Sequence, residues 1–242
     1  MTKFLSPTSI NTYLRCPRKY YLKYIKGLKE KPSIHLIRGK AVHDAIAKFH
    51  KSETQDLKDF ERVKIDLLSL FNHSWIAQDG QIRDLGLPEE ALNDYYNEST
   101  EMLLGWLKRN LPSLQNSTLR PKAEVKLFSQ NHRVMGVIDA IHSVNGKVSL
   151  TDYKTGKIDI LSQDIKVQMS IYALLYRENF GVLPDQIILD FLKFQQSKPF
   201  PVTDDFVQYA ERICRKIHEK TSSLEEKDYP CKCQGWCAKD FK

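Results

Sequence analysis

No apolar run in this sequence approaches the roughly 20 residues that a membrane-spanning helix requires, and the opening MTKFLSPTS lacks the long apolar centre of a secretory signal. These absences point to a soluble intracellular protein, cytoplasmic or nucleoid-associated, without a membrane partner. Cysteine is scarce and odd in number, five in 242 residues. In a chain without an export signal, that argues against a disulfide framework and toward metal binding or simple burial. No internal repeat and no low-complexity tract interrupts the chain.

What is present is length and positive charge. The chain is long enough to bury one sizeable α/β core, or a core with a helical insertion, without external staples. Its formal net charge is +7, and Arg15, Arg18, Lys19, Lys23, Lys26, Lys29 and Lys31 crowd one segment. A polyanionic partner suits such a segment, and so does plain solvation.

The first half of the chain reads as helices. Ser6-Pro7 is a helix start, with Ile10, Tyr13 and Leu14 following at helical spacing. Pro17 forces a restart with Cys16 at its head. Val42, Ile46 and Phe49 mark a helix over 34–50 that carries His43, and the charged segment 51–59 is expected to be a loop. Phe60, Val63, Leu67, Phe71 and Trp75 mark another helix; Leu92, Tyr95, Ser99, Met102, Trp106 and Leu107 mark a third, starting at Pro88.

From residue 123 the period changes. AEVKLF, RVMGVIDAIHSV and KVSLTDYKTG read as strands, DIKVQMSIYALLYREN as a helix, QIILDFLKF as a strand and 204–220 as a last helix. Asn145-Gly146 is a strong two-residue hairpin signal. It pairs Ile141 with Leu150, Asp139 with Asp152 and Val137 with Lys154. Two aspartates directly opposed on one sheet face, with Cβ atoms about 4.5–5.5 Å apart, repel each other. A positive charge must lie between them. Lys154 is one candidate; a divalent cation is the better one, because each carboxylate can give an oxygen to Mg²⁺ or Mn²⁺. The alternatives are an Asp-Lys bridge at a sheet end, or a one-residue slip that puts the acids on opposite faces.

The ordered set GVID (Gly136 to Asp139), DYK (Asp152 to Lys154) and QMSIY (Gln168 to Tyr172), preceded by RGKAVH and SPTSINTYLRCPRKYYLKY, resembles the RecB-like branch of the PD-(D/E)XK nucleases. The likeness is strongest to its CRISPR-associated exonucleases and AddB-type iron-sulfur nucleases. The resemblance implies an α/β fold, a three-layer restriction-endonuclease-like core with a central mixed sheet. It divides the chain into N-terminal basic helices (1–32), a helical region with the His43 motif (33–122), a nuclease core (123–220) and a Cys-rich tail packing with the N-terminus (221–242).

It also implies roles. His43, Asp139, Asp152 and the Tyr153 backbone carbonyl would hold Mg²⁺ or Mn²⁺, and Lys154 would orient water or stabilise the transition state. Gln168 and Tyr172, four apart on one helix face, would reach the scissile strand or steady Lys154. Glu124 would supply a second-metal or outer carboxylate, or is an ordinary surface acid.

Cys16 with Cys231, Cys233 and Cys237 matches the arrangement by which relatives carry a 4Fe-4S cluster. The tail spacing of one and three residues departs from the usual two and about five, so Zn²⁺ or unligated thiols stay open. Cys214 reads as a buried small hydrophobe.

The resulting expectation is a metal-dependent nuclease acting on DNA, a single-strand exonuclease in repair, recombination or CRISPR adaptation, with proteins of those systems as partners. Tyr20, Tyr21 and Tyr24 within the basic segment would stack bases, or belong to the core. Two other classes stay open: a non-catalytic DNA-end-binding iron-sulfur subunit, and an iron-sulfur redox or sensing protein.

Overall fold

The computed structural model describes residues 4–52, 59–115, 119–157 and 162–241. The loop expected at 51–59 falls largely outside them. Helix α1 (Pro7–Arg15) begins at a reciprocal cap: Ser6 Oγ accepts the Ser9 N–H at 3.1 Å, and Ser9 Oγ accepts the Ser6 N–H at 2.8 Å. Cys16, in extended backbone, separates it from α2 (Pro17–Tyr20), which runs on as a π-helical turn over Tyr21–Ile25. Helices α3 (Ile34–Lys51), α4 (Phe60–Ile76), α5 (Asp79–Arg83) and α6 (Glu89–Leu114) follow, the last starting from Pro88 as expected.

Strands β1 (Lys122–Ser129), β2 (Val134–Val144) and β3 (Lys147–Lys154) form an antiparallel meander. Asn145 and Gly146 turn β2 into β3 with φ of 52° and 77°, the left-handed pair that matches strand twist. Helix α7 (Gln163–Phe180) then crosses over so that β4 (Gln186–Phe191) lies parallel to β3, as a parallel neighbour demands. Strand β5 (Gln196–Pro201), helix α8 (Asp204–Lys220) and the short α9 (Trp236–Lys239) complete the chain. The mixed sheet runs in the order β1-β2-β3-β4-β5.

Two cores sandwich the sheet. On one face Ile138, Ile141, Leu150, Ile187, Leu189 and Phe191 pack with α7, α8 and α1. On the other, Ala140, Tyr153 and Leu192 meet α3, α4 and α6 around Trp106 and Phe71. The result is the expected three-layer α/β arrangement with a mixed sheet. Strand β5, which the sequence reading passed over, corrects the expected order of one strand after α7. Its Pro199 and Pro201 sit on a sheet edge, where a missing N–H costs nothing.

The hairpin register is the expected one, with Ile141 opposite Leu150, but the β2–β3 ladder stops at Ala140–Thr151, one position short of the two aspartates. Ile138 and Ile141, three apart, both enter the α7-side core, which strict alternation forbids. The irregularity falls at Asp139. Its neighbour across β1, between the pairs Ala123–Ala140 and Val125–Ile138, is Glu124, whose φ is 51°. Non-glycine residues rarely adopt that conformation, and backbone strain of this kind gathers at functional sites.

Candidate active site and cysteine cluster

Asp152 and Lys154 close β3 on the face covered by α7, while Asp139 comes from the irregular point of β2 and His43 from α3. A cavity of about 740 Å³ opens onto all four, and Gln168, Tyr172 and Glu124 also line it. The sequence-predicted residues are thus brought together from five elements. Glu124 stands at the rim, half-exposed and paired to Lys51 at 2.8 Å.

Hydrogen bonds fix the arrangement. Tyr153 N–H, no longer used in the ladder, donates to Asp139 Oδ2 at 2.8 Å, and His43 Nδ1 lies 3.2 Å from Asp139 Oδ1. Gln168 is the hub on α7. Its Nε2 donates to Asp152 Oδ1 at 2.7 Å and to the Tyr172 hydroxyl at 2.9 Å, while its Oε1 accepts from Lys154 Nζ at 2.6 Å. Tyr172 in turn donates to the Val137 carbonyl at 2.8 Å.

Gly136 explains how α7 comes so close: a Cβ there would stand 2.9 Å from Leu175 Cδ1 and 3.3 Å from a Tyr172 ring carbon. A side chain at that position would push the tip of Leu175 aside and press on the Tyr172 ring.

The electrostatics of the two acids diverge. Burial would raise Asp139, but the adjacent His43 and the Tyr153 N–H more than offset it and hold it below the ordinary carboxylate value. Burial raises Asp152, reinforced by the charge of Asp139, and Lys154 does not fully compensate. For His43, burial opposes protonation, yet Asp139 and Asp152 outweigh it and lift the imidazole above its usual value. Asp152 Oδ2 lies 2.7 Å from Lys154 Nζ but off the direction of a hydrogen bond, which leaves a buried carboxylate oxygen without one.

A divalent cation fits this donor set. It would meet Asp152 Oδ2 beside Lys154 and offset the repulsion between carboxylates, and one imidazole with oxygen donors suits Mg²⁺ or Mn²⁺.

Sequence reasoning took only His43 from RGKAVH and passed over Arg38. This arginine is 5% exposed; it donates to the Thr155 carbonyl at 2.8 Å and pairs with Glu98 of α6. Gly39 beside it lets α3 approach Thr155, whose Oγ1 would lie 3.3 Å from an added Cβ. Together they pin the chain just after Lys154 to α3. An arginine within an otherwise apolar helix stripe is the signal that marks such a buried tether.

The basic N-terminal segment departs from expectation. Arg15 pairs with Asp164, Arg18 and Lys26 with Glu226, Lys19 with Glu30 and Asp240, and Lys23 with Glu30. Tyr20 and Tyr21 are buried against Tyr229, with ring centroids 6.3 and 5.1 Å away, and Tyr24 lies against Tyr20 at 5.0 Å. Tyr20 and Tyr21 thus follow the alternative reading and belong to the core, and the segment's charges pair with α7, with its own Glu30 and with the tail.

Four cysteines meet there. The Sγ atoms of Cys16, Cys231, Cys233 and Cys237 all lie within 4.8 Å of one another, a group able to hold a metal ion. Cys214 is apart, fully buried on α8, and burial pushes its thiol up to about 12. Among the described residues, no helix is long and apolar enough to cross a membrane.

Comparisons with known proteins agree with this geometry. The Gene 69 protein of Mycobacterium phage L5 is 25% identical, in an alignment covering 98% of this chain and 96% of that protein. A crystal structure from Eubacterium rectale, described as a candidate exonuclease, superposes with a TM-score of 0.62 at 10% identity, covering all of this chain and 89% of that one, a likeness of fold. The family model of the PD-(D/E)XK nuclease superfamily matches residues 4–239, and with its two aspartates, lysine and glutamine converging at the end of a mixed sheet, the chain belongs to that superfamily.

Proposed function

We propose that the protein is a metal-dependent deoxyribonuclease that degrades single-stranded DNA from an end. The observation that carries this reading is the convergence of His43, Asp139, Asp152, Lys154 and Gln168 on one cavity. In it, Asp139, Lys154 and Gln168 are each fixed by hydrogen bonds, and Asp152 Oδ2 is held by the Lys154 charge alone. On this reading a divalent cation bound by His43, Asp139, Asp152 and the Tyr153 carbonyl supplies a Lewis acid that activates water and neutralises charge on the phosphate.

The chain's own residues do the rest. Lys154 sets its ammonium beside Asp152, where it meets negative charge building on the phosphate oxygens. Gln168 holds Lys154 and Asp152 in register through one amide, and Tyr172 fixes that amide against β2. Arg15, Lys40 and Thr8 along the cavity wall offer donors to a phosphate backbone. A volume of about 740 Å³, in the range of sites for small ligands, has room for a few nucleotides of one strand. The description of the Eubacterium rectale protein points the same way. Biologically, the activity would process DNA ends, a step common to recombinational repair and CRISPR adaptation.

The test is to incubate wild type and Asp152→Ala with 5′- and 3′-labelled single-stranded DNA, duplex DNA and Mn²⁺, following products over time. The reading expects mononucleotide or short products from one end of single strands, absent in the variant. Internal cuts would retain the nuclease and remove the exonuclease; no cutting by a folded, metal-supplied wild type would turn the reading to a DNA-end-binding protein.

A further inference from the structure

The cysteine cluster has dimensions that identify what it can hold. Sulfur–sulfur separations are 3.5 Å for Cys231–Cys233 and Cys16–Cys233 and 3.6 Å for Cys231–Cys237, and no pair among the four exceeds 4.8 Å. Four thiolates around one tetrahedral ion, with metal–sulfur bonds of about 2.3 Å, stand about 3.8 Å apart. The observed range brackets that value.

A four-iron cluster asks for something else. Each cysteine takes a different iron, at a different corner of a cube that also contains four sulfides, so the thiolates point outward and stand on the order of 6 Å apart. Sulfurs 3.5 Å apart would have to part widely to admit such a core.

The tail is built for the smaller set. Cys231, Cys233 and Cys237, separated by one and three residues, supply three ligands within a single turn. Gln234 and Gly235 make that turn, with φ of 50° and 85°. Its amides point at the sulfurs: Cys237 N–H donates to Cys233 Sγ at 3.1 Å and Gly235 N–H to Cys231 Sγ at 3.3 Å. Lys232 N–H reaches Cys16 Sγ at 3.5 Å. Such N–H to sulfur contacts spread thiolate charge and orient the ligands before a metal arrives. The resemblance noted from the sequence implied 4Fe-4S; the shorter spacing and the close-set sulfurs disagree with it together.

We infer that Cys16, Cys231, Cys233 and Cys237 hold one structural Zn²⁺ rather than an iron-sulfur cluster. All four positions are filled by protein, so the ion has no open site for chemistry and acts as a clip between the two ends of the described chain. This inference stands apart from the nuclease reading and neither needs the other.

The test uses the full chain carrying Asp139→Ala and Asp152→Ala, so that zinc at the carboxylate site is not counted. It is produced in medium supplied with both iron and zinc and purified without oxygen; zinc, iron and acid-labile sulfide are then measured per chain. One zinc per chain, with iron and sulfide near zero and a colourless protein, is the expected result. Cys233→Ser in the same background should lose most of that zinc while Cys214→Ser keeps it. If the cysteine variant proves insoluble, cobalt substitution of the parent decides: intense visible bands of a tetrahedral thiolate site support the inference, and a weak octahedral spectrum opposes it. About four irons and four sulfides per chain with a brown colour would overturn it, as would a protein that carries neither metal.

Discussion

His43, Asp139, Asp152 and Lys154 stand on α3, β2 and β3, elements that two hydrophobic cores pack against each other regardless of any metal. Cys16 and the tail cysteines stand on a helix junction and a segment whose only regular elements are single turns. The tail has some anchorage of its own. Tyr229 is fully buried between Tyr20 and Tyr21, its hydroxyl donates to the Ser223 carbonyl at 2.6 Å, and Lys31 N–H bonds the Asp240 carbonyl at 2.7 Å. The difference teaches that the two sites fail differently. Losing the metal at the carboxylates should cost activity and little stability; losing it at the sulfurs should cost stability and little chemistry.

Asp152→Ala is the sharpest way to press that contrast. It removes the carboxylate that meets Lys154, Gln168 and the cation, so DNA cleavage should fall by about 10³-fold or more. Melting should hold or rise slightly, because a buried charge under repulsion is gone. A matched loss of melting temperature would show the site to be structural and break the comparison from one side.

Cys16→Ser presses from the other side. The metal link closes a loop of more than 200 residues, and releasing it should cost on the order of 4 kcal/mol. At about 2–4 °C per kcal/mol for a chain of this size, the melting temperature should drop by about 10 °C. Cleavage per folded molecule, measured well below that temperature, should stay within about twofold. A cold, folded Cys16→Ser protein without activity would tie the two sites together.

Gln168→Leu should lower cleavage by about 10²-fold, since Lys154 and Asp152 lose their common partner. Stability should also fall, by about 1–3 kcal/mol, since Leu leaves the buried Asp152 Oδ1 without its donor. Smaller still is Tyr229→Phe. It removes one hydroxyl bond, costing about 1 kcal/mol, seen as a melting shift of a few degrees with zinc content and cleavage intact.

Much of this was legible in the chain because the signals are local. The Ser6-Pro7 cap, the Asn145-Gly146 turn and the helical stripes through Phe71 and Trp106 each act within a few residues, and their elements formed as read. The turn alone set the right β2–β3 register. Strand β5 escaped because an edge strand needs no apolar alternation, and two prolines in QSKPFP read as a break. Arg38 escaped because its partners, Glu98 and the Thr155 carbonyl, lie 60 and 117 positions away. The shape of β2 at Asp139 also eluded sequence reasoning: the register counted correctly up to Ala140, and only the left-handed Glu124 across the ladder marks where alternation gives way. The pairing of the basic segment was legible only in part, because Glu30 lies within it while Asp164, Glu226 and Asp240 come from α7 and the tail.

The D-x-K tripeptide leaves its middle position unspecified, yet here that position is the one driven through the sheet to the opposite side. Asp152 and Lys154 lean on α7, whereas the Tyr153 ring passes into the α3 layer, where its hydroxyl lies 3.2 Å from His50 Nε2 and its edge meets Trp106 at 6.2 Å. Three consecutive residues thus work as a rivet, with its head in one layer and its shank in the other. The anonymous letter of the motif anchors the strand end in the second layer, and a library randomised only at 153 would be sieved by ring size and by a hydroxyl able to meet His50.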